Sequence, residues 1–375
     1  MIKYSKKTID AFFSLLRAGL WEQCVSLSDY EPVDFSAVYE LAVEQSVVGL
    51  IAAGLEHVED RKVTKPEAVP FMKKVFSYEN RNQAMNGFIG SIVKKMTDSE
   101  INAVLVKGQG IAQCYSRPQW RAAGDVDFLL DDSNYQKAKA LLIPLADSVH
   151  TEDCDAKHQS MNIDSWVVEL HGRLHNRISN KSDDMIDEVQ DDTLANGGVR
   201  VWNNEGTTVY LPAPDNDVIF VFSHILQHFF RGGIGLRQIC DWCRLLWTYR
   251  DSINCSLLEE RVRQMDLMTE WKAFAAYAID YLGMPEEAMP LFDAELSYWT
   301  RKARRINSFI LEVGNFGHNR DSGIYKKYPY FVYKAISFSR HIGDFFQNVA
   351  IFPIDSVRAL NKMLSDGFVA IVKGK

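Results

Sequence analysis

Apolar residues recur at every third or fourth position over residues 8–56, and this period predicts amphipathic helices. A longer helix is expected over 71–98, after interruptions of the pattern at Pro66 and Pro70. The helical period returns at Pro214 and continues almost to the end of the sequence. Within that stretch we predict helices over 215–230, 236–250, 255–282 and 297–313. Both ends of the chain are therefore expected to be helical.

Between these regions, short apolar runs bounded by glycine and polar residues indicate strands. Strands are predicted over 103–106, 125–130, 161–163, 166–171, 199–202 and 207–211, with a helix over 134–142. The predicted fold class is α+β, with a small mixed β-sheet flanked by N-terminal and C-terminal helical regions. We predict three parts, a helical region over 1–80, an α/β core over 81–213 and a helical domain over 214–375.

Two aspartates stand at the start of the second predicted strand, just after Gly124. Side chains alternate along a strand, so Asp125 and Asp127 point to one face while Val126 and Phe128 point into a core. Two carboxylates that are held together repel each other at neutral pH, and a cation between them removes that cost. Magnesium takes oxygen ligands and commonly keeps positions open for phosphate oxygens. The pair therefore predicts a cation site.

Glu169 is the candidate for a third carboxylate. It lies on a later predicted strand, where its neighbours Val168 and Leu170 are expected to point inward. Three carboxylates that converge in this way could hold one or two metal ions.

The first predicted strand runs directly into a glycine-containing turn and then a short helix. Glycines let backbone amides approach a phosphate closely. Lys107 and Arg121 are near enough in sequence to neutralise the charge of a triphosphate. The predicted nucleotide-binding residues are Lys107, Gly108, Gln109, Gly110 and Arg121.

The order of these segments resembles the nucleotidyltransferase superfamily related to DNA polymerase β. That superfamily combines a glycine-containing turn after a strand, an acidic pair separated by one residue, and a third carboxylate on a later strand. More narrowly, the sequence resembles a bacterial family of largely uncharacterised nucleotidyltransferases, over about residues 80–250. The matching segments are Lys107-Gly108, the Tyr115…Arg121 stretch, Gly124–Leu130, Val168–His171 and Leu236–Asp241, the last with an Arg and an Asp on a helix.

The resemblance implies a metal-dependent transfer of a nucleoside monophosphate from an NTP to a hydroxyl acceptor. It implies that Asp125, Asp127 and Glu169 are the catalytic residues and hold Mg²⁺ or Mn²⁺, and that Glu169 also helps to deprotonate the acceptor. The phosphate-binding turn corresponds to Gly108 and Gly110. The sequence departs from the commoner Gly-Ser turn, since Lys107 precedes the first glycine and Gln109 follows it.

Several alternatives stay open at this stage. The acceptor is a sugar, a small metabolite, an RNA end or a protein, and the sequence does not fix the oligomeric state. The chain could instead be a non-catalytic nucleotide- or partner-binding module on the same fold. A metal-dependent glycosyltransferase is a further alternative, although such enzymes usually place the acidic pair after a longer run of alternating strands and helices.

Composition narrows the class of protein. The formal net charge of −7 argues against a protein that binds bulk nucleic acid, and the 47% hydrophobic content argues against disorder. Six irregularly spaced cysteines are typical of reduced thiols, so we expect a cytoplasmic protein. We also expect no transmembrane segment.

Four histidines and the C-terminal tail carry weaker signals. His158 and His171 are expected to be half-exposed polar residues beside the sheet. His224 and His228 have zinc-compatible spacing, but a packed helix with two hydrogen-bonded histidines is the preferred interpretation. The basic aromatic tail around 325–346 is expected to cap the domain, with binding of a nucleic acid or membrane surface as the alternative.

Overall fold

The computed structural model describes residues 3–154, 157–292, 297–314, 343 and 345–372. The first helices are α1 (Lys6–Trp21), α2 (Phe35–Glu44), α3 (Val48–Glu56), α4 (Lys65–Asp98), α5 (Gly108–Ala112), α6 (Asp132–Leu142) and α7 (Asn180–Ala195). The later helices are α8 (Pro214–Arg231), α9 (Leu236–Tyr249), α10 (Cys255–Gln264), α11 (Met268–Leu282), α12 (Ser297–Val313) and α13 (Pro353–Val372). Most of the basic aromatic tail lies outside the described residues.

The strands form one seven-stranded mixed sheet, which confirms the predicted α+β class. They are β1 (Val104–Val106), β2 (Val126–Leu129), β3 (Ser148–Val149), β4 (His158–Ile163), β5 (Trp166–His171), β6 (Val199–Asn204) and β7 (Thr207–Pro212). The order across the sheet is β3-β4-β5-β2-β1-β7-β6. β2 pairs parallel to β5 and antiparallel to β1, so β2 lies near the middle of the sheet.

The sheet separates two apolar cores. Leu105, Val126, Phe128 and Val168 contribute to the core on one face, together with residues of α4 and α6. Val104, Val106 and Leu129 contribute to the core on the other face, which includes helices from both ends of the chain. Because side chains alternate along β2, Asp127 lies on the same face as the second core.

The N-terminal and C-terminal helices form one layer on that second face. The Trp21 indole donates a hydrogen bond to the Leu282 carbonyl at 2.6 Å, and Arg17 donates to the Tyr281 carbonyl at 3.3 Å. α1 and α11 therefore pack directly against each other. The boundaries at residues 80 and 213 stay a prediction.

The helix predicted over 71–98 begins six residues earlier than expected. Thr64 and Glu67 form a capping box, in which the Glu67 carboxylate accepts from the Thr64 backbone N–H at 2.7 Å. Pro66 occupies the first turn of α4, where a backbone N–H would have no acceptor within the helix. It therefore does not interrupt the helix, although the sequence pattern suggested an interruption. Pro70 lies inside the helix and removes one hydrogen bond without ending it.

Two other differences concern helices later in the chain. The helix expected over 255–282 is two helices, because Asp266 between them adopts a left-handed conformation with φ 58°. α7 was not predicted, since its sequence is dominated by acidic residues. Its Met185, Ile186 and Val189 are nevertheless buried on one helical face.

A buried ion pair joins α9 to the loop that leads into β2. Arg121 donates to Asp241 through Nε and Nη2, both at 2.7 Å, and the Tyr115 hydroxyl donates to the same carboxylate at 2.7 Å. Burial alone would lower the pKa of Arg121, but the Asp241 carboxylate outweighs burial and raises it. The guanidinium is thus held charged in the interior and fixes α9 over the sheet.

We predict that Arg121→Met destabilises the protein by about 3–5 kcal/mol, because it leaves the Asp241 carboxylate buried without a counterion. The double variant Arg121→Met/Asp241→Leu is expected to recover part of this loss, since it removes both buried charges. Urea unfolding measures the free energies. Lys94→Met, which breaks the exposed Lys94–Asp98 pair, is the control and should change stability by less than about 1 kcal/mol. A single variant as stable as this control would contradict the prediction.

Candidate functional site

A cavity of about 1020 Å³ lies between the sheet and the helical layer. Its floor includes the ends of β2 and β5, and its walls come from the turn before α5 and from α2, α8 and α9. The three predicted acids, Asp125, Asp127 and Glu169, all line this cavity. The sequence-predicted carboxylates therefore converge on one concave surface.

Strand register brings two of these acids side by side. β2 and β5 are adjacent parallel strands in which Asp127 is paired with Glu169. Val126, Phe128, Val168 and Leu170 are buried on the opposite face, as their alternation predicted. The apolar residues fix the register, and the register then fixes the two carboxylates.

Asp125 precedes β2 and is exposed at the cavity. Partial desolvation, followed by the negative charges of Asp127 and Glu169, raises the pKa of Asp125 to about 6. The repulsion among the three carboxylates expected from the sequence is therefore present. A cation bound among them would relieve it.

Two histidines that were predicted only as half-exposed polar residues beside the sheet complete the acidic floor. His171 Nε2 lies 2.8 Å from Asp127 Oδ1 and 3.5 Å from Glu169 Oε2, and His158 Nε2 lies 3.2 Å from Glu169 Oε2. His171 is buried rather than half-exposed, while His158 is partly buried. The usable signal was the spacing of Glu169 and His171, which places both side chains on one face of β5.

These contacts set the charge states of the floor. Burial would raise the pKa of Asp127, but the Lys107 ammonium and the hydrogen bond from His171 lower it well below its usual range. Burial would likewise raise the pKa of Glu169, and the two imidazoles lower it. Both carboxylates are thus ionised at neutral pH.

Lys107 enters the cavity from a strained backbone position. Its φ of 59° and ψ of −145° lie in a region that is used almost only by glycine. Its Nζ lies 3.4 Å from Asp127 Oδ1. Gly108 follows with φ 41° and also lines the cavity. The first half of the predicted phosphate-binding turn therefore faces the acids.

The second half of that turn faces away from the cavity. Gln109 is buried, and its amide donates to Asn86 Oδ1 on α4 at 2.7 Å. A Cβ at Gly110 would lie 2.8 Å from the Leu211 side chain, so this glycine allows close packing against β7. For both residues, packing behind the turn accounts for the residue type, and neither lines the cavity.

Arg121 and Arg237 have different surroundings, although both line the cavity. Arg121 is held in its buried pair with Asp241, so its charge is already compensated. Among the described residues, Arg237 makes no ion pair, its Nη1 donates to the Ala122 carbonyl at 3.0 Å, and its buried Nε has no hydrogen-bond partner. Burial and the nearby Arg121 charge lower the pKa of Arg237. An anion beside Arg237 would therefore be stabilised.

His224 and His228 lie on α8 at the same cavity. Their Nε2 atoms are 3.0 Å apart, so one ring donates a hydrogen bond to the other. Burial is the main cause that lowers both pKa values, that of His228 to about 4. The structure thus has the two hydrogen-bonded histidines on a packed helix that the sequence interpretation preferred.

The donor set of the floor suits a divalent cation. Among the described residues, His158, Glu169 and His171 each offer a ligand atom, and these atoms all lie within 4.8 Å of one another. Asp127 contacts the same group through His171, and the raised pKa of Asp125 reflects an excess of negative charge beside it. Imidazole nitrogens, carboxylate oxygens and an excess of negative charge are together features expected of a site for a divalent cation.

The geometry thus defines a cavity in which an anionic ligand could meet acidic, cation-binding side chains. A family model described as "Uncharacterised nucleotidyltransferase" matches residues 31–283, and the chain belongs to this family. Comparisons with curated proteins and with solved structures gave no match. No described helix is long and apolar enough to cross a membrane.

The raised pKa of Asp125 makes stability depend on pH. Ionising this carboxyl is less favourable in the folded than in the unfolded protein, so the contribution of Asp125 to stability falls as pH rises from about 4 to about 6. The asparagine of Asp125→Asn has no carboxyl group to ionise, so this variant does not undergo that loss of stability. We expect this variant to gain about 1 kcal/mol relative to wild type between these pH values, a figure reduced for solvent screening. Urea unfolding in EDTA measures this difference, and an Asp125→Asn curve parallel to that of wild type would refute the prediction.

The backbone at Lys107 gives a second prediction. Lys107→Gly and Lys107→Ala both remove the ammonium group, but only glycine relaxes the strained conformation. Lys107→Gly should therefore be more stable than Lys107→Ala by about 1–2 kcal/mol. Thermal and urea unfolding test the difference. The same two substitutions at Lys94, inside α4, are the matched control and should show the opposite order by about 1 kcal/mol. The same order at both positions would argue against strain.

Proposed function

We propose that this protein transfers a nucleoside monophosphate from an NTP to a hydroxyl acceptor with release of pyrophosphate. The observation that carries the proposal is the in-register pair Asp127 and Glu169, which stands with Asp125 on the floor of a large cavity. Membership of a nucleotidyltransferase family supports this reaction class. A relation to the polymerase-β superfamily, a bacterial origin and a cytoplasmic location belong to the same proposal.

Asp125, Asp127 and Glu169 are the residues proposed to hold Mg²⁺ or Mn²⁺. A bound divalent cation would neutralise the triphosphate and stabilise the charge that develops on the transferred phosphoryl group. Asp127 and Glu169 are ionised, and their charges destabilise the ionised form of Asp125. The protein therefore supplies an excess of negative charge at this point. That excess favours cation binding.

The phosphate chain is proposed to lie towards Lys107 and Arg237. Arg237 is the stronger candidate, because its guanidinium is charged, enclosed and not paired with any described carboxylate. Arg121, predicted from sequence as a phosphate ligand, is better suited to position α9 and thereby Arg237. Gly108 has a positive φ and no side chain, so a phosphate can approach its backbone closely.

In the proposed reaction, the acceptor oxygen forms a bond to the α-phosphorus while the bond from that phosphorus to the bridging β-phosphate oxygen breaks. The acceptor proton passes to Glu169, and pyrophosphate leaves with the electron pair. Glu169 suits this role because it faces the cavity and is ionised at neutral pH.

The cavity has room for an acceptor beside the nucleotide. Its volume of about 1020 Å³ is at the upper end of the usual range for small-molecule sites. Val43 of α2, Leu174, and Phe220 and Val221 of α8 provide an apolar part of the wall. The ligand that binds this apolar wall determines the acceptor class, which is a sugar, a small metabolite, an RNA end or a protein.

One observation favours the second candidate, a non-catalytic nucleotide-binding module. Lys107 Nζ and His171 Nε2 already contact Asp127 Oδ1, so Asp127 has protein hydrogen-bond partners without a metal. The two candidates differ in a single measurement. Labelled NTP incubated with cell extract and Mg²⁺ or Mn²⁺ yields a labelled acceptor for an enzyme, and only bound NTP for a module.

We predict that Asp127→Asn and Glu169→Gln each lower nucleotide transfer at least about 100-fold, because each removes a carboxylate from the cation site. Asp98→Asn, an exposed acid on α4, is the control and should keep wild-type activity. Transfer of the α-phosphorus label from NTP to acceptor is the readout, with circular dichroism to confirm folding. Full activity in either site variant would exclude the proposed mechanism.

We also predict that Arg237→Gln raises the KM for NTP at least about 10-fold and leaves the fold intact. Arg121→Gln should instead act mainly through stability, because its partner is a buried carboxylate rather than a ligand. Kinetics and urea unfolding of both variants separate the two roles. An unchanged KM for Arg237→Gln would remove this residue from the phosphate site.

A further inference from the structure

Two histidine side chains lie beside Glu169 in the cavity, whereas a magnesium site made only of carboxylates has no imidazole ligand. β4 and β5 are antiparallel neighbours in which His158 is paired with His171, and Glu169 lies on the same face two residues before His171. The two rings stack with their centroids 4.8 Å apart and an interplanar angle of 24°. Strand pairing therefore places two ring nitrogens against one carboxylate.

The separations between these atoms match those of ligands on one ion. Donors about 2.1 Å from a metal lie about 3.0 Å apart in octahedral and about 3.4 Å apart in tetrahedral geometry. Glu169 Oε2 lies 3.2 Å from His158 Nε2 and 3.5 Å from His171 Nε2, and His171 Nε2 lies 2.8 Å from Asp127 Oδ1. The ligand atoms of His158, Glu169 and His171 all lie within 4.8 Å of one another, so the two rings must tilt towards each other for all three to coordinate one cation.

His158 contacts Glu169 without a well-aligned hydrogen bond. Its buried Nε2 lies 3.2 Å from Glu169 Oε2, but this contact does not meet hydrogen-bond geometry among the described residues. A metal ion coordinated by both atoms would satisfy the ring nitrogen and the carboxylate together.

The ligand types select the metal. Imidazole nitrogen suits first-row transition metals, whereas Mg²⁺ prefers oxygen ligands and loses its water reluctantly. We propose that His158, Glu169 and His171, with Asp127, bind a divalent transition-metal ion such as Mn²⁺, Co²⁺ or Zn²⁺ in preference to Mg²⁺. This names the metal class for the site of the proposed function, and it rests on that function only for the ion's role in transfer.

The test measures binding of the metal alone to the metal-free full-length protein. Isothermal titration calorimetry and thermal shift with MnCl₂, CoCl₂, ZnCl₂ and MgCl₂ should give at least about tenfold tighter binding for the transition metals. Cobalt absorption provides a spectroscopic signature: d–d bands without thiolate charge transfer indicate nitrogen and oxygen ligands rather than cysteine.

His158→Ala is the decisive variant, because this partly exposed side chain can be removed with less risk to folding than buried His171. It should weaken binding of the transition metals at least about tenfold and change Mg²⁺ binding by less than about threefold. His171→Asn is the second variant, checked for folding by circular dichroism. His57→Ala is the matched control, since His57 Nε2 lies 2.8 Å from Glu22 Oε2 in a similar pair outside the cavity.

Equal affinities for Mg²⁺ and the transition metals, or unchanged transition-metal binding in folded His158→Ala, would overturn the inference. Neither result would affect nucleotide transfer supported by Mg²⁺. Conversely, selective metal binding without nucleotide transfer under any metal would leave this inference standing and reject the proposed function. The two failures are therefore distinguishable.

Discussion

The buried pair of Arg121 and Asp241 sets the distance between the two layers of the molecule. One partner stands in the loop that enters β2, and the other stands on α9, so the pair holds a helix over the strand that carries the acids. Arg237 lies one turn before Asp241 on the same face of α9. One helical face thus provides both an anchor to the loop before β2 and a cation for the cavity.

Local pattern was sufficient to predict the acids but insufficient to predict their partners. Asp127 and Glu169 follow from alternation along strands, because buried Val126 and Val168 force the neighbouring side chains to the other face. The partner of Arg121 depends on where α9 packs, which no short-range spacing encodes. Gln109 shows the same limit, since the turn was predicted while the contact with Asn86 on α4 depends on tertiary packing. Helix α4 and the interruption at Asp266 show that capping and backbone conformation can override an apolar period.

Many charges in the cavity are paired. Arg173 and Arg177 each contact an aspartate, as Arg121 does, and these pairs leave little net charge. The three carboxylates of the floor lie close together, and Arg237 makes no ion pair with the described residues. An excess of negative charge at one point and an enclosed positive charge at another form a dipole across the cavity. A ligand that carries both a cation and phosphates would complement it at both ends.

The contact between α1 and α11 has a consequence for how the chain reaches this fold. The helical layer is formed by residues near both ends of the chain. The strands of the sheet lie in sequence between these N-terminal and C-terminal helices. During synthesis the first helices emerge long before the helices that bury them. More than two hundred further residues must be synthesised before Trp21 can donate its hydrogen bond to Leu282. Contacts of such long sequence separation slow folding and leave apolar surface exposed in the interval. The nascent chain is therefore expected to depend on protection of its N-terminal helices until the C-terminal half has been made.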